Sequence, residues 1–147
     1  MHHFSANILA FAVLASSLAP ALALTPFPTQ NIADVPDGQA APFVGQWAVI
    51  MQSGQAGKPA TIFSTCALPV RIEAADETHI FQRGPNEDEG DPAIALSAVD
   101  RRTAWGPLEG GPSSVAVWLS PNRFNLYEPD VVINQDWSQP MIYSRCD

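Results

Sequence analysis

Short segments in which apolar and polar residues alternate recur along the chain from about residue 43 onwards. In residues 43–51 (FVGQWAVIM), the apolar side chains of Phe43, Trp47, Val49 and Met51 fall on one face. A period of two is typical of a β-strand, because successive side chains point to opposite faces. The pattern therefore predicts the first strand over residues 43–51.

Further segments have the same alternation or are rich in β-branched and aromatic residues. They lie at 60–68, 70–74, 79–83, 93–99, 114–119, 124–127 and 141–146. Two hairpins are predicted, over 70–83 and over 114–127, the second through a turn with Pro121 at its second position. Residues 105–112 (WGPLEGGP) predict a loop instead, since glycine and proline dominate them.

The whole pattern indicates an all-β protein. The chain contains 14 prolines and 9 glycines, and they interrupt helical periodicity throughout, except weakly around residues 64–79. Short strands joined by tight turns are typical of antiparallel β architectures. We expect a small antiparallel β-barrel or a sandwich of about seven to eight strands, and the sequence leaves the choice between these open.

The first 23 residues resemble a secretory signal peptide. An apolar run at 8–18 is followed by Ala21-Leu22-Ala23, which predicts cleavage before Leu24. An uncleaved membrane anchor is the alternative, but a span needs about 20 apolar residues and Pro20 interrupts the run. The predicted organisation is a signal peptide (1–23), an irregular, proline-rich N-terminal arm (24–42) and one β domain (43–147). We expect a periplasmic or secreted protein with no stable membrane insertion after cleavage.

The charge pattern narrows the class of partner. The formal net charge is −8, and the seven basic residues form no basic stripe. Nucleic acids and anionic membrane surfaces attract basic proteins, so neither is an expected partner.

Both cysteines of the chain, Cys66 and Cys146, lie in the part predicted to be exported. In an oxidising compartment an even number of cysteines predicts disulfides, and two cysteines permit one intramolecular pair. Closing a ring of about 80 residues stabilises a fold by about 4 kcal/mol in the chain-entropy model. The absence of a C-x-x-C motif argues against a redox or metal site at these residues.

No catalytic, cofactor-binding or metal-binding motif is recognisable. His79 is the only histidine after the predicted cleavage, and it has no nucleophile motif beside it. Residues 86–91 (NEDEGD) gather four carboxylates, but their spacing is not that of an EF-hand. A solvated loop is the plain interpretation, and weak binding of calcium or of a basic partner stays open. We predict a non-enzymatic protein without cofactor or metal.

Trp105 and Trp137 stand in sequence contexts typical of loops (AWGP and QDWSQP). An exposed loop tryptophan is a good binding anchor, because its large ring buries much apolar surface. Both residues are therefore candidate anchors for a partner, with burial under the loops as the alternative.

The segment F-V-G-Q-W-A (43–48) resembles the G-x-W motif that opens the first strand of lipocalins and other calycins. The motif residues here are Gly45 and Trp47. The resemblance extends to small bacterial calycin-like periplasmic proteins, such as inhibitors of secreted metalloproteases. It implies a barrel in which Trp47 packs across a closed end. An ordinary core tryptophan after a tight glycine explains the same two residues, and both interpretations stay open.

The favoured functional hypothesis is an exported, non-enzymatic binding module of unknown ligand. Its ligand would be a small apolar molecule inside the barrel or a protein at the rim. The alternative is an inhibitor of a secreted or envelope hydrolase, acting through a loop or through the N-terminal arm. A cavity in the barrel would favour the first hypothesis, whereas a filled barrel with a protruding rigid loop would favour the second.

Overall fold

The structure is a computed structural model that describes residues 30–53, 57–88, 92–107, 113–134 and 137–146. The predicted signal peptide (1–23) and the beginning of the predicted arm (24–29) lie outside the described residues. The described part of the chain consists almost wholly of β-strands, with one short 3-10 helix and one short α-helix.

The strands follow one another with short connections. They are β1 (Gly45–Met51), β2 (Thr61–Ser64), β3 (Val70–Ala74), β4 (His79–Arg83), β5 (Ile94–Ala98), β6 (Thr103–Pro107), β7 (Ser114–Ser120), β8 (Arg123–Tyr127) and β9 (Met141–Arg145). The 3-10 helix (Ala41–Phe43) precedes β1, and helix α1 (Pro129–Asn134) precedes β9.

Eight of the strands close into an antiparallel barrel. Each strand from β3 to β9 pairs with the next, β9 pairs with β1, and β1 pairs with β3. The remaining strand, β2, pairs with the second half of β1 on the same side as β3. The all-β prediction is confirmed, and of the two architectures it allowed, the chain adopts the barrel.

Both predicted hairpins are present. The first is β3–β4, in which Ile72 pairs with Gln82. The second is β7–β8, in which Val117 pairs with Asn125 around the turn at Pro121. These are the segments in which alternation and turn residues agree, and such local consistency makes a prediction from sequence reliable.

The loop predicted over residues 105–112 is wrong in its first part, because Trp105 lies in β6. Its backbone pairs with Leu96 of β5 and with Ser114 of β7. Neighbouring strands on both sides thus override the weak strand propensity of the glycine and proline that follow.

Two further predictions need correction. The strand predicted over 60–68 ends at Ser64, and a tight turn with backbone hydrogen bonds between Thr65 and Leu68 follows it. No helix is predicted between the segments at 124–127 and 141–146, but the structure has α1 there, which begins with a proline and carries Asp130 in its first turn. Both features favour a helix start, but six residues are too short for helical periodicity to reveal them.

The strand directions give the barrel two different ends. The arm end carries the tight connections 75–78, 99–102 and 121–122, together with the start of β1. The loop end carries the longer connections 84–93, 108–113 and 128–140. The described part of the N-terminal arm lies at the arm end, as its hydrogen bonds show below.

Candidate functional site

Aromatic side chains fill the inside of the barrel. Six of them contact one another in a single cluster: Phe43, Trp47, Trp105, Trp118, Phe124 and Tyr143. The ring centroids of Phe124 and Tyr143 lie 4.5 Å apart in a stacked arrangement, and those of Phe43 and Trp118 lie 4.9 Å apart. The protein's own rings occupy this level of the barrel, as in a packed core.

Trp47 is fully buried at the arm end, as predicted. Its indole nitrogen donates a hydrogen bond to the carbonyl oxygen of Phe43 at 2.8 Å. The Arg145 guanidinium lies over the face of the Trp47 ring, 4.3 Å from its centroid. It also donates hydrogen bonds to the carbonyl oxygens of Val44 and Pro42, at 2.8 and 2.7 Å. Arg145 therefore clamps the tryptophan and the 3-10 helix together, a role that nothing in the sequence pattern indicated.

The glycine of the G-x-W motif makes room for this clamp. Gly45 has a φ of +146°, and a Cβ atom there would lie 2.6 Å from Nη1 of Arg145. A side chain at this position would be strained and would displace the guanidinium. The motif thus has a local physical reason in this chain.

The described part of the arm is fixed across the arm end by backbone hydrogen bonds. The amide of Ile32 donates to the carbonyl oxygen of Trp118 at 2.8 Å, and the amide of Ala40 donates to that of Glu77 at 2.8 Å. Between them, Gly38 donates its N–H to the hydroxyl of Thr103 at 2.9 Å. The arm is therefore tied to β7, to β6 and to the connection between β3 and β4.

Trp105 and Trp137, the predicted anchors, are both buried. Trp105 is 4% exposed inside the barrel, and Trp137 is 8% exposed on its outer wall. The ring of Trp137 packs against Tyr127, at a centroid distance of 5.4 Å, and belongs to a small outer cluster with Val117. Of the two alternatives, exposure and burial, the structure shows burial, because each ring completes an apolar cluster. A binding role for either ring stays a prediction.

The predicted pairing of Cys66 with Cys146 is present, with the two sulfur atoms 2.10 Å apart. Cys66 lies in the turn after β2, and Cys146 directly follows β9. Because β2 and β9 flank β1 on opposite sides, the disulfide joins the two neighbours of β1. It holds the turn after β2 against the C-terminal end of β9.

Strand β2 contains a β-bulge. The register steps from Val49 opposite Ser64 to Ile50 opposite Ile62, so Phe63 is an extra residue without a partner on β1. A bulge of this kind bends the strand and changes the direction of the side chains around it. Here the extra residue leaves the ring of Phe63 nearly half exposed.

The buried side chain of Ser64 supplies the hydrogen bonds that the bulge disrupts. Its hydroxyl accepts from the amide of Val49 at 2.9 Å and donates to the carbonyl oxygen of Trp47 at 3.1 Å. Buried backbone groups need partners, so Ser64 allows β2 to leave the regular ladder at little cost. No pattern in the sequence indicates this role, since Ser64 stands in an ordinary strand segment.

The outer edge of β2 is the most exposed apolar surface on the described strands. Ile62 is 69% exposed and Phe63 is 47% exposed. Among the described residues no strand pairs with the outer side of β2. We call Ile62 and Phe63, with the free backbone edge of β2, the β2 edge surface.

Ile62 also ends an apolar row on the outer wall of the barrel. It pairs with Ile50 of β1, which pairs with Ile142 of β9. Opposite residues of an antiparallel sheet share a face, so the three isoleucines lie side by side. Ile142 is buried, Ile50 is partly buried and Ile62 is open to solvent. The apolar row therefore continues to the free edge without a cover there.

His79 is hydrogen-bonded at the arm end. Its Nδ1 atom lies 2.8 Å from both carboxylate oxygens of Asp76 and 3.3 Å from the hydroxyl of Thr78. The hydrogen bond to His79 is the main cause that lowers the pKa of the Asp76 carboxyl. A nucleophile–base–acid relay needs its two partners on different ring nitrogens, whereas both of these contact Nδ1. The arrangement is a turn-stabilising cluster without the geometry of a catalytic relay.

Two arginines hold the acidic loop through its backbone. Arg71 donates to the carbonyl oxygen of Glu87, and Arg83 donates to that of Asp88. The Glu87 carboxylate accepts from the amide of Gly84 at 2.7 Å. Residues 89–91 lie outside the described residues, and the described part of the chain contains no cluster of potential metal ligands. Cation binding by this loop stays a prediction.

One ionisable group lies within the aromatic core. The hydroxyl of Tyr143 accepts a hydrogen bond from the side-chain amide of Gln82 at 3.3 Å. Burial raises the pKa of the Tyr143 phenol well above its ordinary range, because the phenolate would lose its hydration. The tyrosine is therefore a neutral core residue at physiological pH.

The fold is an eight-stranded antiparallel barrel with an aromatic cluster inside it and one additional edge strand. Comparison with known protein families, curated proteins and solved structures gave no match to this chain. In the described part of the chain, no helix has the length and apolar character needed to cross a membrane.

Proposed function

We propose that the mature protein is an exported binding module that takes up an extended segment of a protein partner along the β2 edge surface. The observation that carries the proposal is a contrast between two regions. Inside the barrel, aromatic rings pack against one another, whereas the outer edge of β2 has no partner strand among the described residues and carries exposed Ile62 and Phe63. The exposed disulfide-bearing turn beside β2 fits an oxidising compartment, in which such bonds persist.

The partner would add a strand to β2. Its main chain would form hydrogen bonds with the free N–H and C=O groups of the edge, while its apolar side chains cover Ile62 and Phe63. Burying one such side chain fully contributes about 1.5–3 kcal/mol to binding. The contribution here is smaller, because Ile62 and Phe63 are already partly buried in the free protein. The edge thus supplies both directional and apolar contacts.

The packed interior favours a protein partner over a small apolar ligand. A site for a small molecule buries most of the ligand surface in a cavity, and the six clustered rings occupy the middle of this barrel. Hydrolase inhibition remains the alternative proposal. Its version through the arm is less favoured for residues 30–44, since these are hydrogen-bonded to the barrel.

Site-specific photo-crosslinking tests the proposal. A photoreactive phenylalanine analogue at position 62 should form a crosslink to a discrete envelope or secreted protein. The matched control is Ser97, which is exposed on β5 but lies in a strand paired on both sides. Crosslinks of equal yield at positions 62 and 97, or none at position 62, would contradict the proposal.

A titration with a fluorescent fatty acid tests the rival ligand class. We expect no saturable binding, because six clustered aromatic rings occupy the middle of the barrel. Saturable binding that quenches the core tryptophans would favour the small-ligand hypothesis instead.

A further inference from the structure

A groove at the arm end lies between the N-terminal arm and the β3–β4 turn. It has a volume of about 970 Å³ and is open to solvent along its length. Its lining residues are Gln39, Ala41, Val44, Ala74, Asp76, Glu77 and Thr78. We call it the arm groove, and it lies at the opposite end of the barrel from the β2 edge surface.

The arm groove combines a small apolar floor with negative charge. Ala41, Val44 and Ala74 provide the apolar lining, and Val44 remains 39% exposed. Asp76 and Glu77 provide two carboxylates, and none of the described residues that line the groove is a lysine or an arginine. A ligand that fits this surface carries a positive charge next to an aliphatic stem.

The two carboxylates differ in their hydrogen bonds within the chain. Asp76 accepts hydrogen bonds from the amide of Thr78 at 2.8 Å and contacts the ring of His79. Within the described part of the chain, the Glu77 carboxylate has no hydrogen bond or ion pair. Only its backbone carbonyl is engaged, by the amide of Ala40. Glu77 is therefore held in place by its backbone with its charge unpaired.

We propose that the arm groove binds a lysine or arginine side chain carried on an apolar segment of a protein partner, with Glu77 as its counter-charge. The aliphatic part of that side chain covers Ala41, Val44 and Ala74, and its cationic end lies beside Glu77 and Asp76. A protein segment fits better than a free small amine, because an open groove cannot enclose most of a small ligand.

The proposal stands apart from the function proposed for the β2 edge surface, since the two surfaces share no residue. Display selection of random heptapeptides on the disulfide-bonded mature protein tests it. The recovered peptides should be enriched in lysine or arginine adjacent to aliphatic residues. Amide chemical shifts should move in residues 39–44 and 74–78 when such a peptide is added.

Charge reversal then locates the contact. Glu77→Lys should weaken binding of the selected peptides by about fivefold or more, which is the upper range for one exposed ion pair. Asp34→Lys makes the same charge change at an exposed position of the arm outside the groove, and it should leave binding within about twofold of the parent. Matching melting temperatures of the two variants confirm that both fold.

The outcomes are distinct. Peptides without basic enrichment, a selection that returns no binder, or equal binding to the two charge variants would overturn the groove proposal. Peptides that lose binding through Ile62→Asp but not through Glu77→Lys would also overturn it, while supporting the β2 edge surface.

Discussion

The arm end and the β2 edge surface lie at opposite ends of the same strand, β1, and they are built in opposite ways. At the arm end, Trp47 is fully buried, its N–H group is paired, and Arg145 covers its ring. At the other end, β2 pairs with residues 49–51 but leaves Ile62 and Phe63 in solvent. The indole of Trp47 thus has its apolar and polar groups satisfied within the chain, whereas the side chains of Ile62 and Phe63 do not.

The difference assigns stability and recognition to separate regions. A packed and hydrogen-bonded cluster resists change, because each substitution leaves a cavity or an unpaired group. An exposed edge tolerates change in the isolated protein, because its groups already contact water. Substitutions in the buried cluster around Trp47 should therefore lower the free energy of unfolding, and those at Ile62 and Phe63 should chiefly affect binding.

The largest contrast is expected between Trp47→Ala and Ile62→Ala. Removing the buried indole should lower the free energy of unfolding by about 3–5 kcal/mol. Removing the exposed isoleucine should change it by no more than about 0.5 kcal/mol. Denaturant unfolding of the two variants measures both values. Similar losses for the two would mean that β2 belongs to the core.

A smaller contrast is expected between two glycines with positive φ. Gly38 in the arm has a φ of +68°, and a Cβ there would lie 2.6 Å from the backbone nitrogen of Ala98. Gly57, before β2, has a φ of +83° and open space around a Cβ. Gly38→Ala should therefore destabilise by about 1–3 kcal/mol more than Gly57→Ala, which carries only the backbone strain.

Thermal unfolding of the two alanine variants under the same conditions checks this order. An equal effect of both substitutions would show that the arm is not held closely against the turn after β5. The fixed position of the arm, on which the arm groove depends, would then be lost.

The third prediction concerns the pH dependence of the aromatic core. Because the pKa of Tyr143 is raised in the folded state, the folded protein holds the phenolic proton more tightly than the unfolded chain. The resulting stability is complete below the ordinary value of 10.0 and falls as the pH rises above it. The loss is at most about 1.4 kcal/mol per pH unit.

Tyr143→Phe should remove the part of the fall in stability at alkaline pH that Tyr143 causes. Tyr127→Phe, on the outer wall, should leave that part of the fall unchanged. Unfolding curves between pH 9 and about pH 11 separate the two variants. A decline that persists unchanged in Tyr143→Phe would mean that solvent reaches the barrel interior.

Much of the fold was predictable because it follows local rules. The hairpins around residues 75–78 and Pro121 combine alternation with turn residues, and the buried face of β1 followed from Trp47 and Val49. The disulfide was predictable because a chain with two cysteines permits a single intramolecular pair. β6 was missed because its strand character depends on neighbours on both sides, which a single sequence does not reveal.

The candidate site was less predictable for the same reason. A run of β-branched and aromatic residues looks alike whether its strand is central or at an edge, so the sequence does not reveal that Ile62 and Phe63 are exposed. Trp105 and Trp137 stand among glycine, proline and polar residues, and this context concealed that tertiary partners bury them. The positions of Arg145, Ser64 and Glu77 depend on contacts across the barrel, for which no short motif exists.

Hydrogen–deuterium exchange of the complex captured at position 62 tests the central claim most directly. If a partner adds a strand to β2, the amides of Thr61–Ser64 should exchange more slowly in the complex than in the free protein. The amides of β6 and β8, around the aromatic core, should stay unchanged. Slower exchange confined to β6 and β8, with none in β2, would contradict the account and return the binding site to the barrel interior.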